Sequence, residues 1–155
     1  FNTLTQITIP SSVTSIKESA FNEYKSLIHL LILSSVKTYK LQIFKGYKCL
    51  FEISILSSMN LICESAFPYC SSLIQITISS SVISFGDDAF RVCSQLARIT
   101  ISSSVTSLGD DAFCVCSQLT QFSIPSSVSS FGECASCFYS SIKNSTQLML
   151  VTRAN

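Results

Sequence analysis

Cysteine is the residue type in this sequence with the greatest capacity for chemistry, and it occurs eight times in 155 residues. Cys70, Cys93 and Cys116 recur at an interval of 23 residues. Thiols on adjacent turns of a stacked repeat come within disulfide range, but parallel side chains in a packed column rarely reach the torsion that a disulfide needs. Because free cysteine commonly behaves as a small buried apolar side chain, we predict that these three are core residues. Disulfide pairing is the alternative.

Two cysteine pairs lie close together in the sequence, Cys114 with Cys116 and Cys134 with Cys137. Paired thiolates can hold zinc or form a redox dithiol, yet no second pair has zinc-finger spacing and His29 is the only histidine. A redox role is also disfavoured, because the C-x-x-C pair does not stand at the start of a βαβ unit. The sequence therefore predicts no metal site and no cofactor.

Acidic side chains recur at another fixed position, at Glu18, Glu64, Asp87, Asp110 and Glu133. Carboxylates from adjacent turns could gather around calcium, which takes about six to eight oxygen ligands. The same residues could instead cap free backbone N–H groups at the start of a short helical turn. We favour capping over cation binding, and we expect a helical or 3₁₀ turn at residues 87–90 and 110–113.

Residues suited to catalysis are scarce. Serine is abundant, but it recurs at the same turn positions in every copy, which is typical of a structural repeat rather than of one activated nucleophile. Neither a G-x-S-x-G sequence nor a phosphate-binding glycine loop occurs. His29 is predicted on the outward face of a strand, as an ordinary surface residue or as a group for pH-dependent binding. We therefore predict that the chain is not an enzyme.

The elements that position these side chains follow from one internal period of 23 residues. Leucine marks the period at Leu4, Leu27, Leu50, Leu73, Leu96 and Leu119. Phenylalanine forms a second column at Phe21, Phe44, Phe67, Phe90 and Phe113. Six copies occupy residues 1–138, and residues 147–151 repeat the strand pattern after a three-residue insertion, which predicts a degenerate seventh strand. We interpret residues 1–155 as a single solenoid and as a fragment of a longer array.

Each copy begins with a short strand, since apolar and polar residues alternate from Leu4 to Ile9 and β-branched side chains predominate. A second inward set follows at Val13 and Ile16. Glycine marks a later turn at Gly86, Gly109 and Gly132. We expect positive φ at these glycines. One copy cannot bury its apolar edge alone, so the copies must stack in register around a shared core.

The predicted fold class is a β-rich, α/β leucine-rich-repeat solenoid, with one short parallel strand per repeat and with turns and short helical or 3₁₀ segments between strands. The consensus L-x-x-I-x-I-P-S-S-V-x-x-I-G-x-x-A-F-x-x-C-S-S resembles the BspA-like class of leucine-rich repeats, found in large microbial and protist surface proteins. The resemblance covers residues 1–138, and copy two departs from it at residues 39–43. It implies a parallel sheet along one side, an association with adhesion or protein binding, and a cell-surface or extracellular location. Fold alone does not determine function.

The composition narrows the possible partners. The charged fraction is 12% and the net charge is +1, so nothing indicates a nucleic-acid surface. The longest apolar run, residues 27–33, is interrupted by His29 and is too short for a membrane-spanning helix, which needs about 20 residues. The sequence begins at Phe1 without a visible signal peptide.

Outward positions of the predicted strands are the best candidates for a binding surface. The first outward column varies in charge and shape, and it contains Gln6, His29, Glu52, Gln75, Arg98 and Gln121. Because the inward columns are nearly uniform, we predict that a protein or glycan partner binds this face. The alternative is a structural spacer in a large surface protein, with no dedicated ligand.

Three smaller features complete the sequence-based predictions. Stacking pairs Lys17 with Lys40 and Lys25 with Lys48, in a basic patch that is either a solvated surface or a contact for an acidic partner or glycan. Asn144 begins a glycosylation sequon, which matters only if the chain is exported. No polar cap covers the first repeat, so we expect edge-to-edge self-association.

Overall fold

The chain winds into a solenoid whose coils are joined by two parallel sheets. The computed structural model describes residues 3–17, 20–21, 24–33, 44–56, 58–119 and 122–135. The strands within these residues are β1 (Gln6–Ile9), β2 (His29–Ile32), β3 (Glu52–Ile55), β4 (Leu61–Ile62), β5 (Gln75–Ile78), β6 (Ser84–Phe85), β7 (Arg98–Ile99), β8 (Ser107–Leu108) and β9 (Ser130–Phe131).

The larger sheet is the one that the repeat predicts. Its strand order is β1-β2-β3-β5-β7, and every pair is parallel. Ile7 pairs with Leu30, Leu30 with Ile53, and Ile53 with Ile76, so each partner lies one period along the chain. This register places equivalent side chains above one another and confirms the predicted solenoid.

A second parallel sheet, with the order β4-β6-β8-β9, runs along another side of the coils. Its strands are two residues long, and Phe85 pairs with Leu108, which pairs with Phe131. The predicted inward set after the main strand belongs to this side, since Ile16 and Ile62 are buried. The sequence predicted the burial of this position but not the hydrogen-bonded ladder.

The core lies between the two sheets and is built from stacked columns. Leucines at the start of each repeat are buried from Leu27 to Leu119, whereas Leu4 in the first coil is 44% exposed. The phenylalanine column forms a continuous stack. The centroid of the Phe90 ring lies 5.4 Å from the centroid of Phe67 and 5.5 Å from that of Phe113. The ring planes of these two pairs are within 8° and 11° of parallel. Burying each ring contributes about 1.5–3 kcal/mol, so this column is a main source of stability.

The glycines at the later turn are required for a reason that differs from the predicted one. Positive φ was expected at Gly86, Gly109 and Gly132, but among the described glycines only Gly46 has it, at 71°. A Cβ built on Gly109 would lie 2.5 Å from the backbone nitrogen of Asp87, and one on Gly86 would lie 2.5 Å from that of Glu64. Glycine is needed here because the backbones of adjacent coils approach too closely for any side chain.

The helical turns expected at residues 87–90 and 110–113 are absent, and turns without helical geometry take their place. Asp88 and Asp111 have φ of 55° and 53°, in the left-handed region that a right-handed helix does not use. Their N–H groups donate to the next coil, from Asp88 to the Asp110 oxygen and from Asp111 to the Glu133 oxygen. Hydrogen bonding between coils has replaced hydrogen bonding within a helix.

Several predictions concern residues outside the described ranges. These are the seventh strand at 147–151, the irregular segment at 39–43, Glu18, Lys40, Gln121, Cys137 and the sequon at Asn144. In the described part of the chain, no helix has the length and hydropathy to cross a bilayer.

Candidate binding face

The outward face of the larger sheet carries the predicted row of polar residues. Strand pairing aligns Gln6, His29, Glu52, Gln75 and Arg98 in one register. Gln6, His29 and Arg98 are exposed, and Glu52 and Gln75 are partly exposed, while the residues that follow them in β2, β3, β5 and β7 are buried. The alternation of a pleated strand therefore brings five of the six predicted site residues to one surface.

Two members of the row lie within ion-pairing distance of each other. The Nδ1 of His29 lies 3.4 Å from the Oε2 of Glu52 on the adjacent strand, and their side chains are 47% and 37% exposed. An exposed pair of this kind contributes about 0–1 kcal/mol to stability. The pair is thus dispensable for folding, and it sets the local pattern of charge on the face.

A shallow depression lies on β5 and β7, at the other end of the row. Its volume is about 410 Å³, and its lining includes the side chains of Gln75, Thr77, Arg98 and Thr100. The Arg98 guanidinium offers several N–H donors in a fixed planar fork, which suits carboxylate or sulfate groups. This part of the face combines polar side chains with isoleucines of β5 and β7, and it has the size of a small recognition site.

Repeats two and three differ from the rest of the face, because they expose apolar side chains. Exposed fractions are 36% for Ile28, 44% for Phe51, 37% for Leu33 and 54% for Leu56. Ile28 and Phe51 are direct neighbours, since the Phe51 N–H donates to the Ile28 oxygen at 2.8 Å. The sequence-based reasoning missed these residues. Leu33 and Leu56, which stand where the consensus has proline, were a signal that could have found part of this surface, whereas the consensus leaves the position of Ile28 and Phe51 unspecified.

The predicted basic patch is present in part, at the turn that precedes β3. Lys25, Lys45 and Lys48 line a cleft of about 370 Å³ together with Gly46 and Tyr47. The Lys45 ammonium lies 5.8 Å from the centroid of the Tyr69 ring, within cation–π range. Lys25 and Lys48 stand one period apart, as the stacking predicted, and both are exposed.

The cysteine column is a structural feature, as predicted. Cys70, Cys93 and Cys116 are fully buried free thiols. Each Sγ donates a hydrogen bond of 3.2 Å to a phenylalanine oxygen 26 positions earlier, which satisfies a carbonyl of the preceding coil. Cys49 and Cys134 are exposed free thiols.

The acidic column caps backbone N–H groups, but the N–H belongs to the next coil. An Asp87 carboxylate oxygen accepts from the Asp110 N–H at 2.8 Å, and one of Asp110 accepts from the Glu133 N–H at 2.6 Å. Beside them, Arg91 lies 3.2 Å from Asp88 and 3.4 Å from Asp111, and hydrogen bonding to Asp88 raises the pKa of the guanidinium. The described residues contain no cluster of three or more side chains able to hold a metal ion.

Serines of the repeated Ser-Ser step also bind the preceding coil. The hydroxyls of Ser81, Ser104 and Ser127 donate to main-chain oxygens 22 positions earlier, at 2.7–3.0 Å. A side chain with the same structural partner in three successive coils is explained by stacking alone. Serine therefore serves the scaffold at this position.

The parallel sheets, their 23-residue register and the outward row of polar residues together define a leucine-rich-repeat solenoid. The chain belongs to the BspA type leucine-rich repeat family, whose pattern matches it over residues 1–113 and again over residues 40–150. Leucine-rich-repeat families are generally non-catalytic repeat proteins. No curated protein matches the chain.

Solved structures show the same architecture. A leucine-rich cell surface protein from Faecalibacterium prausnitzii is 26% identical, with a TM-score of 0.65 over 97% of this chain and 35% of its own. Two further similarities show the fold alone. A leucine-rich repeat protein from Eubacterium ventriosum is 23% identical, with a TM-score of 0.66 over 86% of this chain and 42% of its own. The T. pallidum leucine-rich repeat protein is 21% identical, with a TM-score of 0.52 over 83% and 51%. The chain thus spans 35% to 51% of the length of these structures.

Proposed function

We propose that this chain is a non-catalytic binding module of a surface protein, and that it binds a protein or glycan partner through the outward face of the larger sheet. The observation that carries the proposal is the register of Gln6, His29, Glu52, Gln75 and Arg98, five different side chains in a row above nearly uniform buried columns. The scaffold does not require this diversity, because outward positions do not contribute to the core. Solenoids commonly use such extended faces for recognition. Gln121 continues the row in sequence, outside the described residues.

A location at the cell surface or outside the cell is part of the proposal. Its support is the family and the similarity to a protein described as a leucine-rich cell surface protein. In that location the sequon at Asn144 would be available for glycosylation. The modest net charge of +1 gives no reason to expect nucleic acid as the partner.

The test removes the charge of Glu52, in the middle of the row, and of Arg98, at one end of its described part. The double variant Glu52→Gln/Arg98→Gln should bind a panel of purified matrix proteins and immobilised glycans about tenfold more weakly than the unchanged chain, since it loses charge-assisted contacts. Thermal unfolding should stay within a few degrees, because both side chains are at the surface. Lys17→Gln/Glu64→Gln is the matched control, because it removes one charge of each sign at exposed positions away from the row. If both double variants bound the panel with equal affinity, the proposal that this face is the binding surface would be wrong.

A structural spacer is the second candidate function. It is favoured by the length comparison, in which this chain covers only 35% to 51% of the solved structures. The same panel separates the two functions, since a spacer would bind nothing in it while retaining a normal unfolding transition.

A further inference from the structure

Two independent departures from the repeat coincide on repeats two and three. The first is exposed apolar area at Ile28 and Phe51, where the same position is half-buried Ile74 in repeat four and Ala97 in repeat five. The second is the lysine pair Lys25 and Lys48, whose equivalents in repeats four to six are Ser71, Ser94 and Ser117. Neither departure is needed for stacking, because repeats four to six form the same coils without them.

Both features lie next to each other along the chain. Lys25 and Lys48 each precede the exposed apolar residue of their own repeat by three positions, and the apolar pair is joined by the Phe51-to-Ile28 rung. The cleft of about 370 Å³ is lined by Lys25, Lys45 and Lys48, which belong to the turns that precede this pair in the chain. Two exposed apolar side chains on adjacent coils therefore stand close in the chain to three lysines. We name this surface the strip, defined by Ile28, Phe51, Lys25, Lys45 and Lys48.

We propose that the strip binds an acidic segment of a partner protein, with apolar side chains of the segment against Ile28 and Phe51 and its carboxylates at the lysines. This proposal deepens the proposed function and rests on it. Exposed aromatic and aliphatic side chains in a patch of this kind mark sites of contact with other proteins. A rim of like charge steers a partner of opposite charge and fixes its orientation.

Charge on the neighbouring strands orients the segment. The Glu52 carboxylate follows Phe51 directly in the chain, at the start of β3 and 3.4 Å from the Nδ1 of His29, so it would repel carboxylates placed on the sheet. The acidic part of the segment therefore lies towards the cleft rather than across the face. An acidic glycan would use the lysines but would gain little from Ile28, which is why a protein segment fits the strip better.

The experiment measures fluorescence anisotropy of labelled probes with the whole chain. One probe is a synthetic peptide of alternating leucine and threonine followed by several glutamates, the second has glutamine for every glutamate, and the third is a heparin hexasaccharide. The acidic peptide should bind more tightly than the glutamine peptide, and the advantage should shrink in high salt. Lys25→Gln/Lys48→Gln should weaken acidic-peptide binding about tenfold. Phe51→Ser should weaken binding of both peptides.

The control variant Lys17→Glu changes the net charge by the same amount at an exposed position outside the row and the strip, and it should leave peptide affinity unchanged. Equal binding of the two peptides, or no effect of the lysine substitutions, would overturn the proposal. Tight binding of heparin without binding of the acidic peptide would also overturn it and assign the strip to a glycan. If the panel of the preceding subsection still shows binding that depends on Arg98 while the acidic peptide fails, the proposed function stands without the strip. If neither the panel nor the acidic peptide shows binding, the structural spacer remains as the function of the chain.

Discussion

The thiol of Cys116 donates a hydrogen bond of 3.2 Å to the main-chain oxygen of Phe90, in the preceding coil. A thiol makes this bond only while it is protonated, and the side chain is fully buried. Burial raises the pKa of Cys116 to about 12, against an ordinary value of 9.0. Contact with the Cys70 thiol and burial likewise raise the pKa of Cys93 well above the ordinary value. The column therefore couples stability to alkaline pH.

The first prediction is a loss of stability above pH 9. The unfolded chain releases the Cys116 proton near the ordinary pKa of 9.0, while the folded chain holds it to about 12. The contribution of this thiol to the free energy of unfolding is complete below pH 9 and is lost as the pH rises from 9 towards 12. At pH 10 the loss is about 1.4 kcal/mol. Urea unfolding at pH 8 and pH 10 measures the change. The pH dependence should be shallower in Cys116→Ala, and identical slopes would contradict the assignment.

The second prediction concerns the aromatic stack. Phe90 is fully buried between Phe67 and Phe113, so Phe90→Ala should lower the free energy of unfolding by about 3–5 kcal/mol. Chemical denaturation gives the value. Phe131→Ala is the matched control, because that ring is 46% exposed and its loss should have a much smaller effect. Comparable losses in both variants would show that the stack is not the centre of the core.

The third prediction distinguishes two reasons for which glycine is required, the close approach of two backbones and a positive φ. Gly109→Ala should destabilise by roughly 1–3 kcal/mol or more, because the new Cβ would overlap the backbone of Asp87 and Gly86. Gly46 has open space around it and a φ of 71°, so Gly46→Ala should lose only about 1–2 kcal/mol. Asparagine tolerates positive φ. It should therefore restore stability at position 46 and fail at position 109, and rescue at both positions would disprove the steric explanation.

The fourth prediction follows from strained backbone at Val115, which is 47% exposed with a φ of 61°. This conformation is unfavourable for a β-branched residue, and Gly46 occupies the equivalent position with a φ of 71°. Val115→Gly should therefore raise the free energy of unfolding by about 0.5–1 kcal/mol. The same change at exposed Thr106, which has no positive φ, should lower it. Thermal melts of both variants test the sign.

The fifth prediction is self-association through the first coil. Leu4 is 44% exposed, and Ile7, Val13 and Phe21 are only partly buried, so apolar side chains of the first coil are accessible in the described residues. Light scattering at high concentration should give an average mass above that of one chain. Leu4→Lys should reduce it, while Leu61→Lys, at an equally exposed leucine on the side of the coils, should not. A uniform monomer before substitution would refute the expectation.

The columns of Leu73 and Phe90 could be predicted from sequence because each residue type recurs at the same interval. Such a recurrence produces a buried column only if the repeats stack in register. The strand Ser84–Phe85 could not, since two residues are too few to show alternation. The helical turn predicted at residues 87–90 was wrong because local propensity lost to the bond from the Asp88 N–H to the Asp110 oxygen, a contact between coils.

The candidate site, like the fold, could be predicted only in part from the sequence. Alternation in the strands placed His29 and Glu52 on one face, and spacing placed Lys25 beside Lys48. The cleft around Gly46 depends on the path of the turn and on the position of the Tyr69 ring, which no pattern in the sequence specifies. The role of Gly109 was missed for the same reason, because the distance between two backbones is a property of the assembled coils.

Main-chain rungs such as the one from the Val92 N–H to the Cys114 oxygen join each coil to its immediate neighbour. Under a load that pulls one end of the molecule away from the other, such a stack would come apart coil by coil. Each event would release 23 residues, about 80 Å of extended chain. The molecule would thus lengthen in equal steps and dissipate mechanical work, while the coils still stacked kept their surface intact.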